Sequence, residues 1–422
     1  MENLLLEIEN SQDEILSVAK RLISIPSVKE ESNDAKMPFG KPCNDALMEA
    51  FKICEEYNLK TTNLDGYAGY AEIGQGEEMV AILCHLDVVP VEGEWQYEPF
   101  NTTIVNDLLY GRGTLDDKGP AAVSIVLLKL IQESNISLNR RIRLIFGVDE
   151  ESGSEDIKYY REHAEIPVAG FTPDADFPVI RGEKGILQVE VRVPQDNITD
   201  IKSGSSINSV PDHATITIDG KTFEANGKAA HGSTPEAGIN ALAVLIDKLY
   251  NEGYSNGLID FYKQYIDITG AKLEIDLSDV DGALSLNQGL VKLDDGFIKL
   301  YLDIRYPITY QSNDVLDVLN EKLDKETFTI LTIADPISFA SDNRMVNIML
   351  NNYNKFADTP GDATVIGGGT YARSLDNIVA FGPLMPNRED MCHQKDEYMH
   401  ISDLMIGAKI YAKTIIELAN EF

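Results

Sequence analysis

A histidine and an aspartate end a short apolar run in the first quarter of the chain. The run is Met79–Asp87, with His85 and Asp87 at its end. Such a run predicts a buried strand of a parallel sheet, and open α/β sheets place their chemistry beyond the carboxyl ends of strands. An imidazole there, with an acid to hold its other ring nitrogen, is typical of a metal-binding histidine. The alternative interpretation is a core histidine paired with a nearby acid.

Acidic residues recur at the ends of similar runs. They follow Arg141–Val148 as Asp149, Glu150 and Glu151, follow Val168–Thr172 as Asp174 and Asp176, and precede the helix-like stretch Ala121–Ile131 as Asp116 and Asp117. A single acid cluster is ordinarily a solvated loop. Together with His85 and Asp87 these clusters make four places. If one sheet contains them all, they favour a functional site at the edge where the carboxyl ends of its parallel strands meet.

These residue types suit a two-metal hydrolytic site. Such a site needs a histidine and a carboxylate on each ion, a shared carboxylate, and a general base beside the attacking water. His85 and Asp174 can serve one ion. Glu151 can serve the second ion, and Asp116 is placed to bridge the two. Glu150 cannot point where Glu151 points, so one glutamate can bind metal while the other handles a proton.

The second ion still needs a histidine, and reasoning from the residues leaves the choice open. His231, His393 and His400 remain as candidates. His393 follows the strand-like run 378–381 and therefore falls in the same domain as the acids. His400 is its rival, with a surface position at the start of the last helix as the simpler interpretation.

A glycine-rich segment, Gly367–Arg373, is a different kind of signal. Its glycines allow close backbone approach, and backbone N–H groups in such a loop can cradle an anion. We therefore expect Gly368, Gly369 and Thr370 to bind substrate, with a plain flexible loop as the alternative. The segment is not a P-loop, because the Gly-Lys-Ser/Thr ending is absent.

Length and composition restrict the class of protein. A chain of 422 residues with 43% hydrophobic and 25% charged residues predicts a globular protein of two domains. A formal net charge of −33 argues against nucleic acid and anionic membranes as partners. The four cysteines form no Cys-x-x-Cys pair, and the N-terminus carries no basic stretch. We therefore expect a cytoplasmic protein without a signal peptide, a membrane span or disulfides.

The hydrophobic pattern changes character twice along the chain. Residues 1–185 alternate strand-like and helix-like runs, as expected of an α/β domain. Residues 186–338 contain runs that alternate apolar and polar residues, which indicates half-exposed antiparallel strands. Core-like runs resume in residues 339–422. We predict a discontinuous α/β catalytic domain built on a mixed sheet, with an inserted α+β lid domain.

Four motifs resemble the co-catalytic zinc peptidases of clan MH, which include carnosinases, aminoacylases, succinyl-diaminopimelate desuccinylase and peptidase V. They are Cys84-His-Leu-Asp87, Gly111-Arg-Gly-Thr-Leu-Asp-Asp-Lys-Gly119, Asp149-Glu-Glu-Ser152 and Pro173-Asp174. Four further segments are similar to peptidase V, a bacterial dipeptidase. They are Thr114–Pro120, Phe171–Pro178, Gly182–Gly185 and Gly367–Arg373. The insertion is shorter than the lid of peptidase V.

The resemblance implies a role for each matching residue. It places His85 and Asp174 on one metal, Glu151 and His393 on the other, Asp116 between them, Glu150 as general base and Asp87 as the carboxylate that orients His85. The family's Asp-x-Lys-Gly spacing selects Asp116 as the bridge. Asp117 is expected to project elsewhere and to be solvated. From the lid, His231 resembles the residue that steadies the oxyanion, and Asn208 and Arg305 resemble substrate-binding residues.

The resemblance also implies cofactors, substrates and assembly. Two divalent ions are expected, with zinc as the default and manganese or cobalt feasible, since oxygen-rich sites select less strongly for zinc. The implied activity is hydrolysis of small unblocked dipeptides by a monomer or homodimer. Removal of the acyl group from N-acyl amino acids is the alternative activity. A third hypothesis is a non-catalytic, metal-dependent binding protein on the same fold.

Overall fold

A computed structural model describes residues 1–323 and 327–422, so residues 324–326 of the predicted insertion lie outside the described residues. Over this range the helices are α1 (Glu2–Asn10), α2 (Gln12–Ile23), α3 (Lys41–Glu56), α4 (Lys118–Glu133), α5 (Glu155–His163), α6 (Ala241–Asn251), α7 (Gly257–Tyr265), α8 (Ser312–Lys322), α9 (Arg344–Phe356) and α10 (Ile401–Glu421).

The strands occur in every part of the chain except its two ends. They are β1 (Lys60–Leu64), β2 (Ala68–Ile73), β3 (Met79–His85), β4 (Thr103–Val105), β5 (Leu108–Tyr110), β6 (Arg141–Gly147), β7 (Ala169–Thr172), β8 (Ala175–Asp176), β9 (Val179–Glu183), β10 (Gly185–Pro194), β11 (Ile198–Ser203), β12 (His213–Ile218), β13 (Lys221–Asn226), β14 (Ser278–Asp279), β15 (Gly282–Ala283), β16 (Ser285–Asp294), β17 (Phe297–Tyr306), β18 (Phe328–Ala334), β19 (Ile337–Ser338), β20 (Ala363–Ile366), β21 (Ile378–Ala380), β22 (Pro383–Leu384) and β23 (Tyr398–His400).

The chain divides into two compact units. The first unit comprises Met1–Arg181, Phe339–Thr364 and Thr370–Phe422, and the second comprises Gly182–Ser338 and Val365–Gly369. The sequence pattern predicts boundaries at 185/186 and 338/339. The second unit also includes Val365–Gly369, which contains the first three residues of the glycine-rich segment and is not part of that prediction. The assignment of the two units as a catalytic domain and an inserted lid domain stays a prediction.

The larger sheet positions the candidate site. Its strand order is β1-β2-β6-β3-β7-β21-β9-β19, with β20 also paired with β9. The central strands β6, β3, β7 and β21 are parallel to one another, whereas β1 pairs antiparallel with β2, β2 with β6, and β9 with β21. The mixed-sheet α/β fold predicted from the sequence is therefore confirmed.

The central strands of this sheet are apolar because both of their faces are covered. Every residue of β3 is buried, and so is nearly every residue of α4, whose apolar side chains join the same core. His85 of β3 pairs in register with Gly147 of β6, so these two parallel strands end side by side. Residues that directly follow β3, β6 and β7 consequently emerge at one edge of the sheet.

The second unit is built on an antiparallel sheet. Seven strands lie in the order β13-β12-β11-β16-β17-β10-β18, and helices α6, α7 and α8 contribute to a separate apolar core. In β10, inward positions such as Leu187, Val189 and Val191 are fully buried, while Arg192 is exposed. This alternation is the one expected of strands with a single covered face.

The longest helix, α10, has 21 residues and packs into the core of the first unit. Across residues 1–323 and 327–422, no helix combines the length and the continuous apolar character needed to cross a membrane.

Candidate metal centre

His85 lies at the end of β3 with its imidazole completely buried. Its Nε2 atom is 2.8 Å from Asp116 Oδ1 and 3.6 Å from Asp174 Oδ1. Its Nδ1 atom is 3.1 Å from the backbone carbonyl of Asp87 and 3.5 Å from Asp87 Oδ1. Because both groups that face Nδ1 are hydrogen-bond acceptors, Nδ1 can keep its proton and Nε2 is the nitrogen available to a metal.

The carboxylate of Asp116 joins two clusters of potential ligands. Its Oδ1 faces His85, while its Oδ2 is 3.0 Å from His393 Nε2, which is also 3.0 Å from Glu151 Oε2. The clusters are His85 with Asp116 and Asp174, and Asp116 with Glu151 and His393; within each, the ligand atoms lie within 4.8 Å of one another. One oxygen of Asp116 towards each histidine is the arrangement required of a bridging carboxylate.

The electrostatics of the two clusters favour added positive charge. Hydrogen bonds to Asp116 and Glu151 raise the pKa of His393 to about 11. Burial alone would lower the pKa of His85, but the charge of Asp174 and the hydrogen bond to Asp116 raise it well above its usual value. Two imidazoles with three carboxylates, one of them shared, also form a donor set that suits zinc and other first-row divalent ions. The residues present therefore fit a pair of divalent cations.

Glu150 and Glu151 begin the turn that follows β6. They lie in a 3-10 helix, Glu150–Ser152, and the Asp87 carboxylate accepts their backbone N–H groups at 3.2 and 3.1 Å. Glu151 enters a ligand cluster, while the half-buried Glu150 does not. Burial and the charge of Asp174 raise the pKa of Glu150 well above its usual value. Asp87 thus contacts His85 and also holds the turn that carries both glutamates, a second contact that the sequence does not reveal.

The environment of Asp117 differs from the solvated position expected from the sequence. Its side chain is completely buried, and its Oδ2 accepts the backbone N–H of His85 at 3.1 Å. Burial and the charge of Asp174 raise the pKa of Asp117 well above its usual value. The sequence prediction of a solvated Asp117 is wrong, because the residue precedes the buried helix α4 and packs beneath β3.

The rival histidine, His400, lies away from both clusters at the start of α10. Its Nδ1 is 3.4 Å from Asp107 Oδ2, in neither ligand group. This contact agrees with its simpler interpretation as a helix-start histidine.

A buried pair beneath the site was missed by sequence reasoning. The Tyr371 hydroxyl donates to Asp156 Oδ2 at 2.7 Å, and the same oxygen accepts the backbone N–H groups of Val148 and Asp149. The Tyr371 ring packs edge-on against the His85 imidazole, with centroids 5.8 Å apart. The only sequence signal was the position of Tyr371 within the glycine-rich segment, two residues after its last glycine.

Glu397 was also missed, although it stands four positions after His393. Its buried carboxylate accepts a hydrogen bond from Arg112 Nη1 at 2.7 Å and from backbone N–H groups in the loop that carries Asp116. An acid so near a candidate ligand histidine was the available signal. The sequence could not show that it faces a loop 281 to 285 positions away.

In the second unit, Arg305 is held in a fixed orientation. Its Nε and Nη2 atoms each donate to the buried Asp303 carboxylate at 2.9 Å, and its Nη1 donates to the Gly367 carbonyl at 3.0 Å. Gly368 and Gly369 belong to this unit, whereas Thr370 begins the next segment of the first unit. The Thr370 hydroxyl accepts the Ala372 backbone N–H at 3.2 Å, which caps a short 3-10 helix.

His231 and Asn208 lie in adjacent loops of the second unit. His231 Nδ1 is 2.7 Å from Ser233 Oγ, and the backbone of His231 pairs with that of Ser209 in an isolated antiparallel β-bridge. Burial and the positive charge of Arg305 lower the pKa of His231. The side-chain Oδ1 of Asn208 accepts a hydrogen bond from the Ser206 hydroxyl, and the backbone carbonyl of Asn208 accepts the Gly232 N–H at 2.7 Å. Asn208, His231 and Arg305 therefore share one unit, and the metal-ligand candidates share the other.

Comparison with known proteins places this geometry in a family context. The profile of Peptidase family M20/M25/M40 matches residues 81–417. The chain is 34% identical to YtjP of Bacillus subtilis (strain 168), a predicted dipeptidase, over 98% of this chain and 99% of that protein. A predicted dipeptidase of Staphylococcus aureus (strain USA300) is 30% identical over 98% of this chain and 99% of its own length.

A solved structure shares the fold at low sequence identity. Human carnosine dipeptidase 1 aligns with a TM-score of 0.61 and 15% identity, covering 99% of this chain and 98% of that chain. The family profile spans most of the chain and includes every candidate metal ligand. The chain belongs to peptidase family M20/M25/M40.

Proposed function

We propose that this protein is a metal-dependent dipeptidase of the peptidase V type that hydrolyses unblocked dipeptides. The observation that carries the proposal is the Asp116 carboxylate, with Oδ1 2.8 Å from His85 Nε2 and Oδ2 3.0 Å from His393 Nε2. A carboxylate whose two oxygens face two histidine-containing clusters is the arrangement that a pair of divalent ions would require. The dipeptidase names of the relatives from Bacillus and Staphylococcus support the same substrate class.

In this proposal the site holds two divalent ions, with zinc as the native pair. His85 and Asp174 would hold the first ion, Glu151 and His393 would hold the second, and Asp116 would be a ligand of both. When bound, such ions polarise a scissile carbonyl and lower the pKa of water. A solved M20 peptidase of Bacillus subtilis, YXEP, is described as binding a dinuclear metal, which supports the number of ions.

The protein supplies the proton transfers and the orientation of the substrate. Glu150 removes a proton from the attacking water and delivers it to the leaving amine as the C–N bond breaks. His231 stabilises the oxyanion that develops on the carbonyl oxygen.

Three further elements bind the substrate in this proposal. Arg305 has two N–H groups beyond the three that bond Asp303 and Gly367, and these can receive a carboxylate. Asn208 and the backbone N–H groups of the segment 368–370 complete the substrate contacts.

A comparison of free and blocked substrates tests the activity. The enzyme is stripped of metal, reconstituted with zinc, manganese or cobalt, and assayed with Leu-Gly, N-acetyl-Leu-Gly and N-acetylleucine. We expect two ions per chain and turnover of Leu-Gly alone, with the highest rate in zinc. Preferential cleavage of N-acetylleucine would instead identify a deacylase. Two bound ions without turnover of any substrate would identify a non-catalytic homologue.

The remaining proposals concern location and assembly. All four cysteines are unpaired, which supports a reducing cytoplasm as the compartment. We propose a monomer or homodimer, which light scattering after size-exclusion chromatography distinguishes by mass.

A further inference from the structure

Glu397 lies where two ligand-bearing loops meet. It directly precedes β23, which pairs with β5 so that Tyr398 lies opposite Tyr110. The Gly111 N–H donates to the Glu397 carbonyl at 3.0 Å and extends this pairing by one residue. The strand pairing therefore fixes the backbone of Glu397 beside the start of the loop that carries Asp116.

The Glu397 side chain then binds that loop along its length. Its Oε1 accepts the backbone N–H groups of Gly113, Leu115 and Asp116 at 3.1, 2.9 and 3.2 Å. Its Oε2 accepts Gly113 N–H at 3.0 Å and Arg112 Nη1 at 2.7 Å. A buried carboxylate with this many donors fixes the loop backbone. One of these donors is the backbone N–H of Asp116, the proposed bridging residue itself.

Arg112 links Glu397 to His393, the other ligand of the second ion. Its Nη2 donates to the His393 carbonyl at 3.4 Å, while its Nη1 bonds Glu397. His393 has a φ of 63°, in the left-handed region, where a residue other than glycine needs support from its surroundings. The Glu397–Arg112 pair thus contacts the backbone of Asp116 on one side and that of His393 on the other.

We propose that Glu397 is a positioning residue that sets the geometry of the second metal ion by coupling Asp116 to His393. The inference rests on the proposed function. Of the other ligands of the first ion, His85 ends β3 and Asp174 follows β7, and neither contacts Glu397 in the hydrogen-bond network described above. The first ion therefore depends on Glu397 through Asp116 alone, whereas the second depends on it through both Asp116 and His393. Loss of the Glu397 charge should consequently weaken binding of the second ion more than binding of the first.

The test is metal binding by Glu397→Gln in the full-length protein. Isothermal titration of the metal-free protein with zinc should give two ions for the unaltered chain. For Glu397→Gln we expect one ion to bind close to its original affinity and the affinity for the other to fall by roughly 10–100-fold, the usual scale for partners that orient metal ligands. Turnover should be lost at limiting zinc and return at excess zinc. Unaltered affinity for both ions would overturn the proposal.

Cadmium NMR identifies which ion is affected. The unaltered protein should give two resonances, one perturbed by His393→Ala and the other by Asp174→Asn. Glu397→Gln should perturb the resonance that responds to His393→Ala and leave the other in place. The reverse pattern, or equal perturbation of both resonances, would show that Glu397 does not act on the second ion in particular.

Two further variants serve as a matched control and as an independent test of the same contacts. Glu389→Gln removes an exposed carboxylate from the same segment and should leave both affinities unchanged. Arg112→Lys keeps the charge beside Glu397 but loses the fork that reaches the His393 carbonyl, and it should weaken the same ion. If Glu397→Gln does not fold, unaltered zinc affinities in Arg112→Lys overturn the proposal. An unaltered protein that binds fewer than two ions would instead contradict the proposed function.

Discussion

Glu150 and Glu151 are chemically identical neighbours with different surroundings. Both backbone N–H groups are held by Asp87, yet only the Glu151 carboxylate reaches a ligand cluster, 3.0 Å from His393. Successive residues in the 3-10 helix project in different directions, which is the separation that the proposed roles in metal binding and proton transfer require. The division of roles depends on a local turn and needs no difference in residue type.

Replacing Glu150 with glutamine should therefore abolish turnover without loss of metal. The amide keeps the shape of the side chain but cannot take a proton from water, and a positioned acid–base group contributes roughly 10²–10⁴-fold to the rate. Steady-state kinetics on Leu-Gly, together with metal analysis of the same sample, measures both effects. Near-native turnover with two ions bound would assign the proton transfer to another group.

The adjacent aspartates make a second residue-scale comparison. Asp116→Asn should lower the content of both ions, because one carboxylate faces both clusters. Asp117→Asn should retain both ions, because an amide oxygen can still accept the His85 N–H that Asp117 accepts now. Metal analysis of the two purified variants measures both contents. Equal metal loss in the two variants would exclude Asp116 as the carboxylate that bridges the ions.

At the scale of elements, the end of β6 leaves no room for a larger residue. A Cβ atom at Gly147 would lie 1.6 Å from the Tyr371 hydroxyl and 2.4 Å from Asp156 Oδ2. Glycine is therefore required for the buried Tyr371–Asp156 hydrogen bond to approach the strand. The same hydrogen bond lies beneath the turn that carries the two glutamates.

Gly147→Ala should consequently destabilise the protein. Overpacking of this kind costs about 1–3 kcal/mol, because Tyr371 or the strand must move. Urea unfolding followed by circular dichroism measures the free energy of unfolding. The matched control is Gly407→Ala in α10, where the nearest atoms are ring atoms of Tyr411 at 3.6 Å or more. Equal stability of Gly147→Ala and the unaltered protein would mean that the site tolerates the displacement.

At the scale of the whole molecule, the candidate residues are divided between the two units. The metal-ligand candidates belong to the first unit, while His231 and Arg305 belong to the second. Participation of both units in one reaction is therefore a prediction about the complete chain rather than about either unit alone.

His231→Ala tests that participation. If His231 donates to the oxyanion, the variant should keep both ions and its thermal stability, and lose about 10²–10³-fold in turnover with a smaller change in KM. Kinetics, metal analysis and thermal unfolding of one preparation measure all three. Reduced thermal stability with normal turnover would identify His231 as a packing residue, and the oxyanion donor would then have to come from elsewhere.

The sequence by itself was sufficient to predict the mixed-sheet α/β fold and to select His85, Asp116, Glu151 and Asp174 as candidate ligands, whereas His393 was assigned through the family resemblance. These predictions depend on local information. An apolar run indicates a buried strand, an acid after that run lies at the carboxyl end, and parallel strands bring such ends together. The resemblance of short motifs to a known family added the roles of the individual residues.

Only the tertiary structure decided which side chains meet. The burial of Asp117, the Tyr371–Asp156 hydrogen bond and the Glu397 contacts all join segments that are distant in the chain. Gly113 and Glu397, for example, are 284 positions apart. Such pairings depend on the register of β5 with β23 and on the space left between packed elements, and no local pattern of residue types specifies either one. The residues that could bind metal are therefore evident in the sequence, whereas the residues that hold them in place emerge only from the fold.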